Sequence, residues 1–128
     1  MALKYKSIQR IQPGVAGGGA KKYYASIVID GEVTVDDLVK EIEKFSALSE
    51  PDIRGVIVAL ENVIQNKLAD SKMIRLEKLG TLYPTLHSTG KDREEDVDSR
   101  SIRSIWVNYR PGSRILSTMK DAGVKKTV

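Results

Sequence analysis

At 128 residues without a cysteine, the chain is sized for one domain, or one domain with an appendage, and it excludes disulfides, thiolate metal sites and a cysteine nucleophile. Apolar residues make up 41%, but one Trp, one Phe and five Tyr supply little aromatic bulk, so a second chain would help to bury the core. The net charge of +4 is uneven: residues 1–31 carry +4, 32–87 carry −3, 88–100 carry −2 and 101–128 carry +5. Such a mild excess fits a solvated surface as well as a polyanionic partner.

Residues 1–6 carry two lysines and run into Ser7, Gln9 and Arg10 rather than an apolar stretch, so no secretory leader is expected. The longest apolar runs, such as Val56 to Leu60, fall far short of the roughly 20 residues that span a bilayer. A soluble, cytoplasmic protein is expected. Residues 3–11 and 22–29 are β-branched and aromatic enough for two strands, with Pro13, Gly14 and Gly17 to Gly19 forming a flexible loop between them. Asp30-Gly31 makes a turn, and the period then changes.

Thr34 and Asp37 form a capping-box-like start, after which Val35, Leu38, Val39, Ile42 and Phe45 recur at helical spacing to about residue 46. Ser49 can cap a second helix with Pro51 in its first turn and Asp52 placed to suit the helix dipole. Ile53, Val56, Ile57, Leu60, Val63, Ile64 and Leu68 give that helix one long apolar face. Asp70-Ser71 turns the chain into a strand whose alternation breaks at Leu79 and resumes at Leu82, so a bulge is expected at Gly80.

Residues 88–100 hold one apolar residue and read as a solvated loop or arm. In residues 102–110, Ile105, Val107 and Tyr109 share one strand face, while Ile102, Ser104, Trp106, Asn108 and Arg110 share the other. Pro111-Gly112 ends the strand, and Ser113 can cap a short helix bearing Ile115, Leu116 and Met119. The expected division is an N-terminal β extension over 1–33, a domain over 34–122 and a polar tail over 123–128.

Little in the chain suggests catalysis. His87 is the single histidine and has no partner for a metal site. Asp92, Glu94, Asp96 and Asp98 alternate as in a calcium loop, but Val97 and Arg103 stand where that loop needs glycine and a bidentate glutamate. Gly14 to Gly19 has the spacing of a phosphate loop, yet Ala20 and Lys21 replace the Lys and Ser/Thr that would do its chemistry. No enzyme activity, cofactor, metal or small-molecule substrate is expected, and no membrane association.

The order of elements is helix, longer helix, strand, glycine turn, strand, polar arm, strand, Pro-Gly and short helix. With LEKLGTLYPTL (76–86) and NYRPGSRI (108–115), it resembles the HU/IHF family of bacterial histone-like DNA-binding proteins. Gly80-Thr81-Leu82 matches the family's glycine turn, and Tyr109-Arg110-Pro111-Gly112 its aromatic-basic-Pro-Gly run. KYKSIQRIQPG and KKYYASIVIDGEVT are similar to the N-terminal extension of the HU-related DNA-binding proteins of Bacteroidetes.

The resemblance implies an α+β, HU/IHF-like intertwined homodimer: a two-helix body, a three-stranded sheet extended into a β-arm, and a short C-terminal helix. It implies architectural, nucleoid-associated binding of double-stranded DNA with little sequence specificity, through phosphate neutralisation and groove shape. Carried over by position, the DNA-facing residues are Lys78, Gly80, Thr81 and Arg110, with Lys91, Arg93 and Arg100 on the arm. Arg103 and Arg114 are weaker candidates, because alternation puts Arg103 beside Ile105. Trp106 would line the saddle that the sheets of such a dimer form, or pack on the extension, and packing is the favoured reading. The arm departs from the family in being net acidic, short and free of proline, so strong kinking by wedged side chains is not expected. The alternative is a protein-interaction module on the same fold, with weak or lost DNA binding.

Overall fold

The computed structural model describes residues 1–127, which divide into two compact units: residues 1–34 with 117–127, and residues 35–116. In the first unit, β1 (Leu3–Ile11) pairs antiparallel with β2 (Lys21–Ile27), from Tyr5 opposite Ile27 to Ile11 opposite Lys21. The strands end where expected to within two residues. β6 (Val124–Lys126) adds a parallel third strand beside Leu3 to Tyr5, giving the order β2-β1-β6. The Leu3 amide donates to the Gly123 carbonyl (2.9 Å) and the Thr127 amide to the Tyr5 carbonyl (2.8 Å). Residues 124–126 thus belong to a sheet, where the sequence suggested only a polar tail.

The second unit starts with α1 (Val35–Lys44) and α2 (Glu50–Ala69). Ser49 caps α2 as its sequence foretells: its hydroxyl accepts from the Asp52 amide and donates to the Asp52 carboxylate, with Pro51 in the first turn. Val39 of α1 and Ile53 of α2 are the two buried apolar side chains among the described residues, and Arg54 pairs with Asp36 across the helices.

β3 (Ile74–Arg75), β4 (Gly80–Ser88) and β5 (Ile102–Pro111) form an antiparallel sheet in that order. β3 pairs only with Thr81 and Leu82, so Pro84, which lacks an amide hydrogen, faces β5 alone without interrupting a central strand. α3 (Ser113–Ala122) follows, and the division between the units falls within it.

Two further expectations need correction. Gly80 is not a bulge: a 3₁₀ turn over Glu77–Leu79 breaks the alternation, and Gly80 opens β4. The bulge lies at the other end, where His87 faces Ser104 and Ser88 faces Ile102, leaving Arg103 as the extra residue. Nor does the hairpin extend into a β-arm. The Thr89 amide donates to the Ser101 carbonyl (2.8 Å), closing a loop that holds 3₁₀ turns at Glu94–Asp96 and Ser99–Ser101. Short-range contacts hold this loop. Arg93 pairs with Glu95 (2.5 Å) and Arg100 with Asp98 (2.7 Å), each two residues away. Asp98 and Ser101 form a capping box, and Ser101 is buried.

Candidate nucleic-acid interface

The two motifs separated by some thirty residues in sequence meet at one end of the β4–β5 ladder. Gly80 stands opposite Pro111 and Thr81 opposite Arg110. The approach is so close that a Cβ on Gly80 would lie 2.2 Å from the Arg110 carbonyl oxygen, and one on Gly112 would lie 2.3 Å from the Lys78 carbonyl oxygen. Gly80 also has φ +122°, a backbone that side-chain-bearing residues rarely adopt. The turn is fastened from several sides: the Leu76 amide donates to the Gly80 carbonyl (2.7 Å), and the Leu79 carbonyl accepts from the Gly112 amide (3.4 Å) and the Tyr109 hydroxyl. Glu77 adopts φ +53° at the start of the turn, a strained value that these bonds hold in place.

Strand alternation and this register sort the sheet into two faces. Leu82, Pro84 and Leu86 share the inner face with Tyr109, Val107 and Ile105. Between it and α2 lies an apolar cleft of about 530 Å³, also lined by Ile64 and Leu68. The outer face carries Thr81, Tyr83, Thr85 and His87 opposite Arg110, Asn108, Trp106 and Ser104. No carboxylate stands among these eight positions. The Arg110 guanidinium lies 5.3 Å from the centroid of the Tyr83 ring, a cation–π contact that orients its charge, and Trp106 is 66% exposed.

Of the residues expected to face DNA, Lys78, Gly80, Thr81 and Arg110 gather at this end of the sheet, and Arg114 lies in the first turn of α3, just beyond Gly112. Arg103 sits at the bulge at the opposite end. Lys91, Arg93 and Arg100 are in the closed loop, where Arg93 and Arg100 spend their charge on neighbouring carboxylates. Asp98 is held below the usual carboxylate range, chiefly by the side-chain hydrogen bond from Arg100 and then by the Arg100 and Ser101 amides. Tyr83, Thr85 and Asn108 also lie on the outer face and were not singled out as DNA-facing from sequence: alternation put Asn108 beside Arg110, but bringing Tyr83 and Thr85 to the same side depends on the β4–β5 register. The alternate polar residues at 81, 83, 85 and 87 are the signal that, joined to the Gly80–Pro111 pairing, would have found them.

Comparison with known proteins follows the same lines. Residues 1–126 match the family model described as an HU domain fused to wHTH, Ig, or glycine-rich motif. Among solved structures, a Bacteroides vulgatus protein described as a "Putative bacterial DNA binding protein" superposes with a TM-score of 0.69 at 12% identity, over 98% of this chain and 48% of that one. The chain thus spans about half the length of that protein. No curated protein matches.

Proposed function

The chain belongs to the family of HU domains fused to a wHTH, Ig or glycine-rich motif, and we propose that it binds duplex DNA as a homodimer, architecturally and with little sequence preference. The observation that carries this reading is the outer face of β4–β5. It offers hydroxyls, an amide, aromatic rings and one oriented guanidinium, with no carboxylate to repel phosphate. Lys78, Thr81 and Arg110 would contact the sugar-phosphate backbone, and the Gly80–Gly112 crossing would let the main chain approach the groove.

The homodimer is supported by the apolar surface that one chain leaves open. Ile105 (71% exposed), Leu86 and Val107 on the inner sheet face and Val56, Leu60 and Val63 on α2 are all exposed, and Phe45 is 90% exposed. A second copy is the occupant that fits, because exposed apolar surface on this scale marks an interaction site. Sedimentation should therefore give twice the 14.2 kDa chain mass.

DNA bending would be weak. Val97, the sole apolar residue between 88 and 100, sits beside Asp96 and Asp98, and the loop that carries it is closed on itself rather than drawn into an arm. Among the described residues no helix is long and apolar enough to cross a membrane, and residence in the nucleoid is part of the same proposal. A mobility shift on random duplex DNA across a salt series tests the function. Steep loss of affinity with salt supports it, whereas no shift would favour a protein-interaction module on the same fold.

A further inference from the structure

The net charge of the chain does not reside in the unit that carries the β4–β5 face. Residues 35–116 hold thirteen basic and fourteen acidic side chains, −1, whereas residues 1–34 with 117–128 hold eight basic and three acidic, +5. Within that second group the register of the β2-β1-β6 sheet concentrates the cations further. Lys4, Lys6, Ile8 and Arg10 of β1 share one face with Lys22, Tyr24 and Ser26 of β2 and Lys125 of β6.

Arg10 stands directly opposite Lys22, and Lys4 directly opposite Lys125. Like charges so placed destabilise a sheet on their own. Asp30 compensates Lys4 through an ion pair. Lys6, Arg10, Lys22 and Lys125 are all exposed, and none makes an ion pair with a described residue. The reverse face is different: Leu3, Tyr5, Ile11, Tyr23, Ile27 and Val124 dominate it, with Lys21 and Lys126 at its margins. The asymmetry is that of a surface built for a polyanion.

We propose that the Lys6–Arg10–Lys22–Lys125 face is a second DNA-contacting surface, engaging the phosphate backbone of the duplex and supplying most of the electrostatic affinity. It deepens the DNA-binding reading and rests on it. Phosphate is favoured over an acidic peptide because Tyr24 and Ser26 interleave the cations, offering a hydroxyl donor and a ring for sugar contacts.

The test is the salt dependence of duplex binding by the full chain, compared with a variant carrying Lys6→Gln, Arg10→Gln, Lys22→Gln and Lys125→Gln. Each phosphate that is no longer neutralised should lower the slope of log affinity against log salt by about 0.9, so the variant's slope should fall by about 3 to 4 per protomer. Folding is not at risk, since the substitutions relieve cross-strand repulsion, and the variant's melting temperature should be unchanged or higher. The control is Lys21→Gln with Lys126→Gln on the reverse face, which should leave the slope nearly intact. If the intact chain shifts DNA and the four-fold variant keeps its slope, the proposal fails and the DNA-binding reading stands. If the intact chain shifts no DNA, both fail. Binding of poly-glutamate as tight as that of duplex DNA would overturn the phosphate assignment.

Discussion

The β2-β1-β6 sheet sets cation against cation across its strands, whereas the outer face of β3-β4-β5 spaces two arginines, Arg75 and Arg110, on either side of Thr81 among hydroxyls, an amide and aromatic rings. The first arrangement gains from any polyanion and reads no shape. The second carries fewer cations, but it holds two backbone segments within van der Waals distance of each other and sets a guanidinium over a ring. A protein that binds DNA without reading sequence needs both long-range attraction and close groove fit. On the reading proposed above the two would fall to different units, so they can be broken separately.

The largest effect is expected where the proposed homodimer would cover the second sheet. Ile105 is 71% exposed in the single chain, where Ile105→Asp would change stability by less than about 0.5 kcal/mol. At a dimer interface it would bury an unpaired charge, at a cost of several kcal/mol. Sedimentation of this variant should give the 14.2 kDa chain rather than its double. An undiminished dimer would show that the inner face of β5 is not the interface.

Next comes the crossing of the two motifs. Gly80→Ala meets both the +122° φ and the Arg110 carbonyl oxygen, and should destabilise the protein by about 3 kcal/mol or more. Gly55→Ala, in the interior of α2 with nothing within 4 Å of its added Cβ, should instead gain about 0.5–1 kcal/mol. Urea midpoints at one fixed protein concentration give both. Equal effects would mean that the crossing is loose and imposes no shape.

Arg110 separates charge from orientation. Arg110→Ala should weaken binding to all duplex sequences by about tenfold and reduce the salt slope by about 0.9 per protomer. Arg110→Lys keeps the charge but loses the guanidinium held over the Tyr83 ring, a contact worth about 0.5–1 kcal/mol at an exposed site. Titrations should therefore show its salt slope restored while its affinity remains several-fold low. Full recovery by lysine would reduce Arg110 to a point charge.

What could be read from the sequence follows from the range of each signal. α2 was legible from its Ser49 cap to its last turn, because capping and a 3.6-residue apolar period are local. β1 was legible for the same reason, with bounds that match. β6 was not: three residues hold no period, and their partners at Leu3 to Tyr5 lie at the other end of the chain. The Glu77–Leu79 turn was seen only as a break in alternation, since the left-handed φ of Glu77 goes with the closure of the turn, in which the Leu76 amide donates to the Gly80 carbonyl and the Gly80 amide to the Glu77 carbonyl, rather than with residue type. The interface was half visible. Its motifs were in the sequence, and alternation set Asn108 beside Arg110, but Tyr83 and Thr85 join them through register alone, and the basic face of the extension needed the pairing of β1 with both of its neighbours.

The smallest effect concerns the acidic loop, which marks how far cations in the second unit are withheld from DNA. Asp98 titrates below its ordinary value of 3.8, first because of the Arg100 side chain and then because of backbone amides. A carboxyl depressed on folding contributes stability that is fully present above the unfolded value and is lost as pH falls through the folded one. The contribution of Asp98 to loop order should thus be complete above about pH 4 and fade only below 3.8. A carbon-detected NMR titration should give a midpoint below 3.8, and Arg100→Gln should move it upward but not the whole way, because the amide donors of Arg100 and Ser101 remain. In DNA titrations near pH 7, Asp98→Asn removes one negative charge and releases Arg100, so affinity should rise by about two- to three-fold. A fall in affinity would mean that the Asp98–Arg100 pair positions the loop against the duplex, and that the loop, for all its carboxylates, belongs to the interface.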